Sequence, residues 1–145
     1  RKLDKHIGLG RIYRVVHTGQ NPQAAPKMSG QDYEQLIGHL ESGNGWRRDT
    51  AQRLLVQRNE KGALPILRKT ATASEHHLAR QHALWTLEGM GGLAAPTIAR
   101  ALGDDHPRVR IAALRVTESF TAALGSSESD TVARVALLPA LTTTP

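Results

Sequence analysis

The stretch Gly43-Asn-Gly-Trp-Arg-Arg-Asp-Thr-Ala-Gln-Arg-Leu-Leu-Val-Gln-Arg58 joins a turn signal to a helical pattern, and that combination returns twice further along the chain. Aligned on their arginines, the three copies are Arg48-Asp-Thr-Ala51, Arg80-Gln-His-Ala83 and Arg110-Ile-Ala-Ala113, separated by 32 and 30 residues. A period of this length marks helical repeats, in which one unit cannot bury its own apolar face and stacks on its neighbours. The pattern predicts an all-α chain, an α-solenoid of about three and a half helix pairs. Its units span residues 31–60, 61–92 and 93–124, with half a unit over 125–145.

Composition narrows the classes. The 145 residues are the size of one domain and contain only five aromatic side chains, Trp46, Trp85, Tyr13, Tyr33 and Phe120. Leucine, alanine, isoleucine and valine must therefore fill the core, which suits close-packed helices better than a sandwich or barrel. The absence of cysteine excludes disulfides, thiolate metal sites and a Cys-x-x-Cys-His haem attachment within this sequence. No run approaches the roughly 20 apolar residues of a membrane-spanning helix. Beginning at Arg1 rather than Met, the sequence reads as a piece of a longer protein.

The net charge is +6, of which +4 falls in the first 17 residues. The repeats themselves are nearly balanced. A surface that tracks phosphates gathers its positive charge on one face, so this distribution argues against nucleic acid as the partner.

In chain order, residues 10–17 have the β-branched and aromatic content of an extended strand or arm, and residues 18–30, with Pro22 and Pro26, read as a linker. A first helix opens at Ser29 or Gln31 and runs to about Ser42, with Tyr33, Leu36, Ile37 and Leu40 on one face. Gly43, Asn44 and Gly45 separate it from a second helix, residues 46–59, that buries Thr50, Ala51, Leu54 and Leu55 and turns Arg47, Arg53 and Gln57 outward. Helices over 63–70 and 77–90 follow, the second carrying the wide apolar surface of a middle unit: Ala79, Ala83, Leu84, Trp85, Leu87 and Met90. The third pair places Ala95, Ile98, Ala99 and Leu102 against Val109, Ala112, Ala113, Val116 and Phe120, over residues 95–102 and 108–124. Asp130 then caps a last helix whose apolar residues include Val132, Val135, Leu138 and Leu141.

The run Asp104-Asp-His-Pro-Arg-Val-Arg110, followed by Ile-Ala-Ala-Leu114, resembles a HEAT repeat. That resemblance implies a right-handed superhelix in which an acidic turn residue and an arginine recur in each unit and form a ladder between units. Carried over, Arg48, Arg80 and Arg110 are the basic rungs and Glu75 and Asp105 the acidic ones, with Gly43 standing at the acidic position of the first unit. A narrower resemblance covers nearly the whole chain. The runs Gly10-Arg-Ile-Tyr-Arg-Val15, Asn44-Gly-Trp-Arg-Arg-Asp-Thr-Ala-Gln-Arg-Leu-Leu55 and His82-Ala-Leu-Trp-Thr-Leu-Glu-Gly89 are similar to large membrane-bound dehydrogenases of planctomycete-type bacteria. In those, a sugar- or sorbosone-dehydrogenase-like β-propeller precedes HEAT repeats, and a cytochrome c domain often follows. The resemblance implies that residues 10–17 end the propeller, that the rest is a spacer, and that the setting is extracytoplasmic.

Chemistry-bearing constellations are sparse. His76, His77 and His82 lack the i, i+4 spacing of a helical ligand pair, and Glu88 and Glu118 lack a paired carboxylate or a nucleophile, so no catalytic, cofactor-binding or metal-ligating residue is expected. Trp46 and Trp85 read first as packing residues. Trp46, with Arg47 and Arg53, is also the candidate for a partner contact. Three functions follow: a noncatalytic scaffold for protein or interdomain contacts, a spacer in a larger oxidoreductase, and a nucleic-acid-binding superhelix.

Overall fold

A capping box decides where the first helix begins. In the computed structural model, which describes residues 17–19 and 24–124, the Asp32 side chain accepts from the Gln35 amide while the Gln35 side chain accepts from the Asp32 amide. Two of the amides that a helix start leaves unpaired are satisfied this way, so α1 spans Tyr33–Gly38 and begins at the first residue of the apolar face rather than at Ser29 or Gln31. It is also shorter. At Gly38 the chain tightens into a 3-10 turn, His39–Glu41, that keeps Leu40 fully buried. Another 3-10 turn, Met28–Gly30, inserts Met28 into the core, so the stretch read as a linker contributes to packing.

Five further helices follow: α2 Gly45–Arg58, α3 Ala63–Ala73, α4 His77–Gly89, α5 Ala95–Leu102 and α6 Pro107–Ala123. Asn44 caps α2 through its side-chain oxygen, and Asn59 closes the helix at φ 49°, a left-handed conformation that asparagine tolerates better than most residues. The third helix runs three residues beyond its expected end. No breaker intervenes before Ser74, and the Thr70 and Thr72 hydroxyls donate to carbonyls four residues back. Pro96 and Pro107 sit in the first turns of α5 and α6, where no intrahelical hydrogen bond is lost.

The described residues form three helix pairs, α1 with α2, α3 with α4 and α5 with α6, and contain no strand. The odd helices touch in order, α1 with α3 and α3 with α5, and so do the even ones, α2 with α4 and α4 with α6. Between them lies one core, built on Leu36, Leu40, Leu55, Leu67, Leu84, Leu87, Ile98, Leu102, Val109 and Val116. Each such side chain withdrawn from water contributes about 1.5–3 kcal/mol. Helix α4 is the central member, packed on α2, α3 and α6, and buries Ala79, His82, Ala83, Leu84, Thr86 and Leu87.

Glycine allows the end of α4 to come this close to its neighbours. A Cβ on Gly89 would lie 2.8 Å from a Val56 methyl on α2, and one on Gly92 would overlap a Leu64 methyl on α3. Cations then bind carbonyls of the turn that follows α4: Lys61 donates to the Met90 carbonyl at 3.3 Å, and Arg68 donates twice to the Gly92 carbonyl, at 3.2 and 2.9 Å. The extended segment expected at residues 10–17 lies, apart from His17, outside the described residues. So do the last helix expected from Thr131 and the half unit 125–145. No helix among the described residues is long and apolar enough to cross a membrane.

Candidate functional site

Each helix pair is joined by a turn built to one pattern. The residue two positions before the cap of the even helix is Ser42, Ser74 or Asp104, and its side-chain oxygen accepts from the cap amide of Asn44, His76 or His106 at 3.2, 3.2 and 2.9 Å. Its carbonyl then accepts from the arginine six residues on: Arg48 to Ser42 at 2.6 Å, Arg80 to Ser74 at 2.6 Å, Arg110 to Asp104 at 2.9 Å. One guanidinium thus ties each helix to the turn that launches it. All three arginines are half-buried.

The nitrogens left over reach towards the next pair, and here the acidic positions differ from those implied by the HEAT resemblance. Arg80 grips the Asp104 carboxylate with two parallel bonds, Nε to Oδ2 at 2.7 Å and Nη2 to Oδ1 at 2.8 Å, while both side chains are largely buried. Asp105 and Glu75, expected as the acidic rungs, offer their backbone carbonyls instead, to Arg110 at 3.2 Å and to Arg80 at 3.4 Å. Both residues are exposed. The register is one residue earlier because the residue two before the cap, not its neighbour, can serve the cap amide and the arginine together. Burial alone would raise the Asp104 carboxyl. The Arg80 hydrogen bond, the His106 amide and the charges of Arg80 and His106 outweigh burial and hold it below the usual carboxylate value.

At the first junction the arginine meets an imidazole rather than a carboxylate. Arg48 Nε donates to His82 Nε2 at 3.3 Å, and His82 Nδ1 lies 2.7 Å from Gln52 Oε1. With both partners in place the ring is neutral, Nδ1–H donating and Nε2 accepting. Burial first, then the Arg48 charge, lowers the His82 pKa from its ordinary value, against a smaller opposing effect of Asp49. Its ring also meets Trp85 in a T-shaped contact, with centroids 5.3 Å apart. Glu41 adds a second tie across this junction, accepting from the Ser74 hydroxyl at 2.9 Å.

Across the second junction His77 stacks on His106, with centroids 3.8 Å apart and planes 5° from parallel. Desolvation and the neighbouring charges of His106, Arg80 and Arg108 lower the His77 pKa, while Asp104 opposes them. Stacked face to face, the two imidazoles cannot direct their nitrogens at one ion. His76, His77 and His82 are likewise dispersed, to a helix cap, this stack and the interior. Among the described residues no three histidine, aspartate or glutamate side chains gather as a metal site.

Beside the Arg80–Asp104 pair lies an open cleft of about 680 Å³, lined by Ser74, Arg80, Arg100, Asp104 and Asp105 among others. Its central charges are already engaged with each other. The candidate partner residues lie elsewhere, on α2, where Trp46 is 53% exposed, Arg53 is exposed and Arg47 half-buried. Trp46 is therefore not a core residue, whereas Trp85 packs against the core. Asp104, His82, His106 and the pair Ser42 and Ser74 are not among the residues to which the sequence motifs assign a role. The available signal was an oxygen-bearing side chain six residues before each arginine. The chain matches no protein-family model, no curated protein and no solved structure.

Proposed function

We propose that the chain is a HEAT-like α-solenoid and acts as a noncatalytic scaffold, holding a partner protein or neighbouring domains along its helical surface. The observation that carries this reading is the turn pattern, three arginines bound to equivalent carbonyls, two of them reaching into the following helix pair. Polar groups at these junctions are spent on one another, and no buried side-chain polar atom among the described residues lacks a partner. Such saturation suits a rigid support better than a reacting centre, which keeps a group free for its substrate. Trp46 and Arg53, exposed seven residues apart on α2, are the anchors for the partner, since tryptophan and arginine carry much of the energy of protein interfaces.

Photo-crosslinking in the native host tests the reading. A crosslinking amino acid at the exposed Asp49, between Trp46 and Arg53 on α2, should give one adduct of defined mass that a control at the exposed Pro96 does not give and that Arg53→Glu abolishes. Adducts with nucleic acid, or equal adducts at both sites, would overturn it.

A further inference from the structure

The two junctions are tied by groups of different chemistry, and mild acid reaches only one of the ties. At the second, Arg80 holds a carboxylate that stays ionised above about pH 4. At the first, Arg48 Nε donates to His82 Nε2, and a neutral imidazole has a single ring nitrogen with which to accept. Nδ1 already carries the other proton, directed at Gln52 Oε1. A second proton on the ring must therefore take Nε2, which removes the Arg48 bond and sets two cations against each other. Water cannot relieve that contact where it stands, since His82 is 6% exposed. Arg48 keeps its bond to the Ser42 carbonyl throughout, so the tie that is lost is the one between helix pairs.

We infer that the first junction is an acid-operated hinge: a proton on His82 Nε2 displaces Arg48, the ring moves out to water, and the α1–α2 pair turns against the α3–α4 pair while the second junction stays closed. The apolar contacts of α1 with α3 and of α2 with α4, and the bond from Ser74 to Glu41, still join the two pairs, so they turn rather than separate. Helix α4 is packed on α2, α3, α6 and the His39–Glu41 turn. Among the described residues of these elements, Arg48 opposes the charged ring and Asp49 favours it. The other arginines of α2, His39 and Glu41 of the turn, Arg68 and Lys69 of α3, and Arg108, Arg110, Arg115 and Glu118 of α6 add nothing. Burial and Arg48 outweigh Asp49, so the ring in the closed junction binds its proton below the ordinary value of about 6.5, and a ring released to water regains that value. Acid therefore favours the open junction. At the second junction the half-buried stack of His77 and His106 also meets protons, but it lies beside Asp104, whose charge opposes the repulsion. Trp46 and Arg53 ride on the pair that moves, so the hinge would swing the exposed face of α2 relative to the rest of the molecule.

Spin labels on the full chain test the hinge, and the absence of cysteine lets them be placed at will. Exposed Glu34 on α1 and Lys69 on α3, each replaced by a labelled cysteine, report the first junction; Lys69 with exposed Arg100 on α5 reports the second. Pulsed dipolar electron resonance between pH 7.5 and 4.5 should show a second distance for the first label pair. Its population, while minor, should grow about ten-fold for each pH unit below about 6.5, the slope of one proton taken up on opening. The second label pair should keep one distance throughout. His82→Gln supplies an amide oxygen that accepts from Arg48 at any pH and should leave the first distance unchanged with acid. Where that variant does not fold, NMR titration of the His82 ring in the native sequence decides: ring protonation that follows the new distance supports the hinge, and protonation at a different pH overturns it. No second distance down to pH 4.5, the same change at both junctions, or a change that persists in His82→Gln would also overturn it. The readout is a distance within one chain, so the hinge stands or falls separately from the scaffold reading.

Discussion

Replacing Arg80 by alanine removes the strongest tie between two helix pairs. The guanidinium makes two bonds to Asp104, at 2.7 and 2.8 Å, and one to the Ser74 carbonyl at 2.6 Å, with side-chain exposures of 14% and 11% for the ion pair. A hydrogen bond to a charged group is worth about 1.5–3 kcal/mol, and orphaning one partner of a fully buried pair costs about 3–5 kcal/mol. Asp104 keeps the His106 amide and some contact with water, so the lower range applies and the expected loss is about 2–3 kcal/mol. Urea unfolding followed by circular dichroism at pH 7 measures it. A double-mutant cycle with Asp104→Ala should return a coupling of about 1–2 kcal/mol. Arg80→Lys keeps the charge without the planar fork and should fall between wild type and alanine. The sign with pH is fixed: the folded-state pKa of Asp104 lies below its unfolded value near 3.9, so the contribution is complete above about pH 4 and is lost as pH falls through the folded value. A loss under about 0.5 kcal/mol for Arg80→Ala, or additive single mutants, would refute the rung.

Three other substitutions probe separate parts of the account. His82 is held neutral with a lowered pKa, so stability should be full above its unfolded value of about 6.5 and decline as pH falls through the folded one; His82→Gln should flatten that decline in unfolding free energies compared at pH 7.5 and 5. Gly92→Ala drives a methyl onto Leu64 and should cost about 1–3 kcal/mol, read as a lowered melting temperature. Trp46→Ala should change stability by less than about 0.5 kcal/mol while weakening the photo-crosslinked complex, because the ring is exposed.

The helices were legible because their signals are local. Apolar spacing, first-turn prolines and the Gly43 to Gly45 break each act within a few residues, and five of the six helices lie close to where those signals place them. The first helix was misjudged although its capping box, Asp32 with Gln35, was present in the sequence; its apolar face continues through a 3-10 turn that spacing alone does not separate from α-helix. The arginine period was equally plain. Its partners were not, because two adjacent aspartates differ only in which one the turn backbone aims at the guanidinium, and that depends on the cap two residues later. His82 was hidden for another reason: its role is set by Arg48 and Gln52, 34 and 30 residues away in sequence.

Arginine side-chain NMR on the full chain at pH 7 tests the central claim most directly, since it reads all three guanidinium groups in one sample. The account predicts slowly exchanging Nε–H signals for Arg48 and Arg80, held by His82 and Asp104, and a rapidly exchanging one for Arg110, whose Nε has no partner among the described residues. Three signals that all exchange like those of exposed arginines would contradict it.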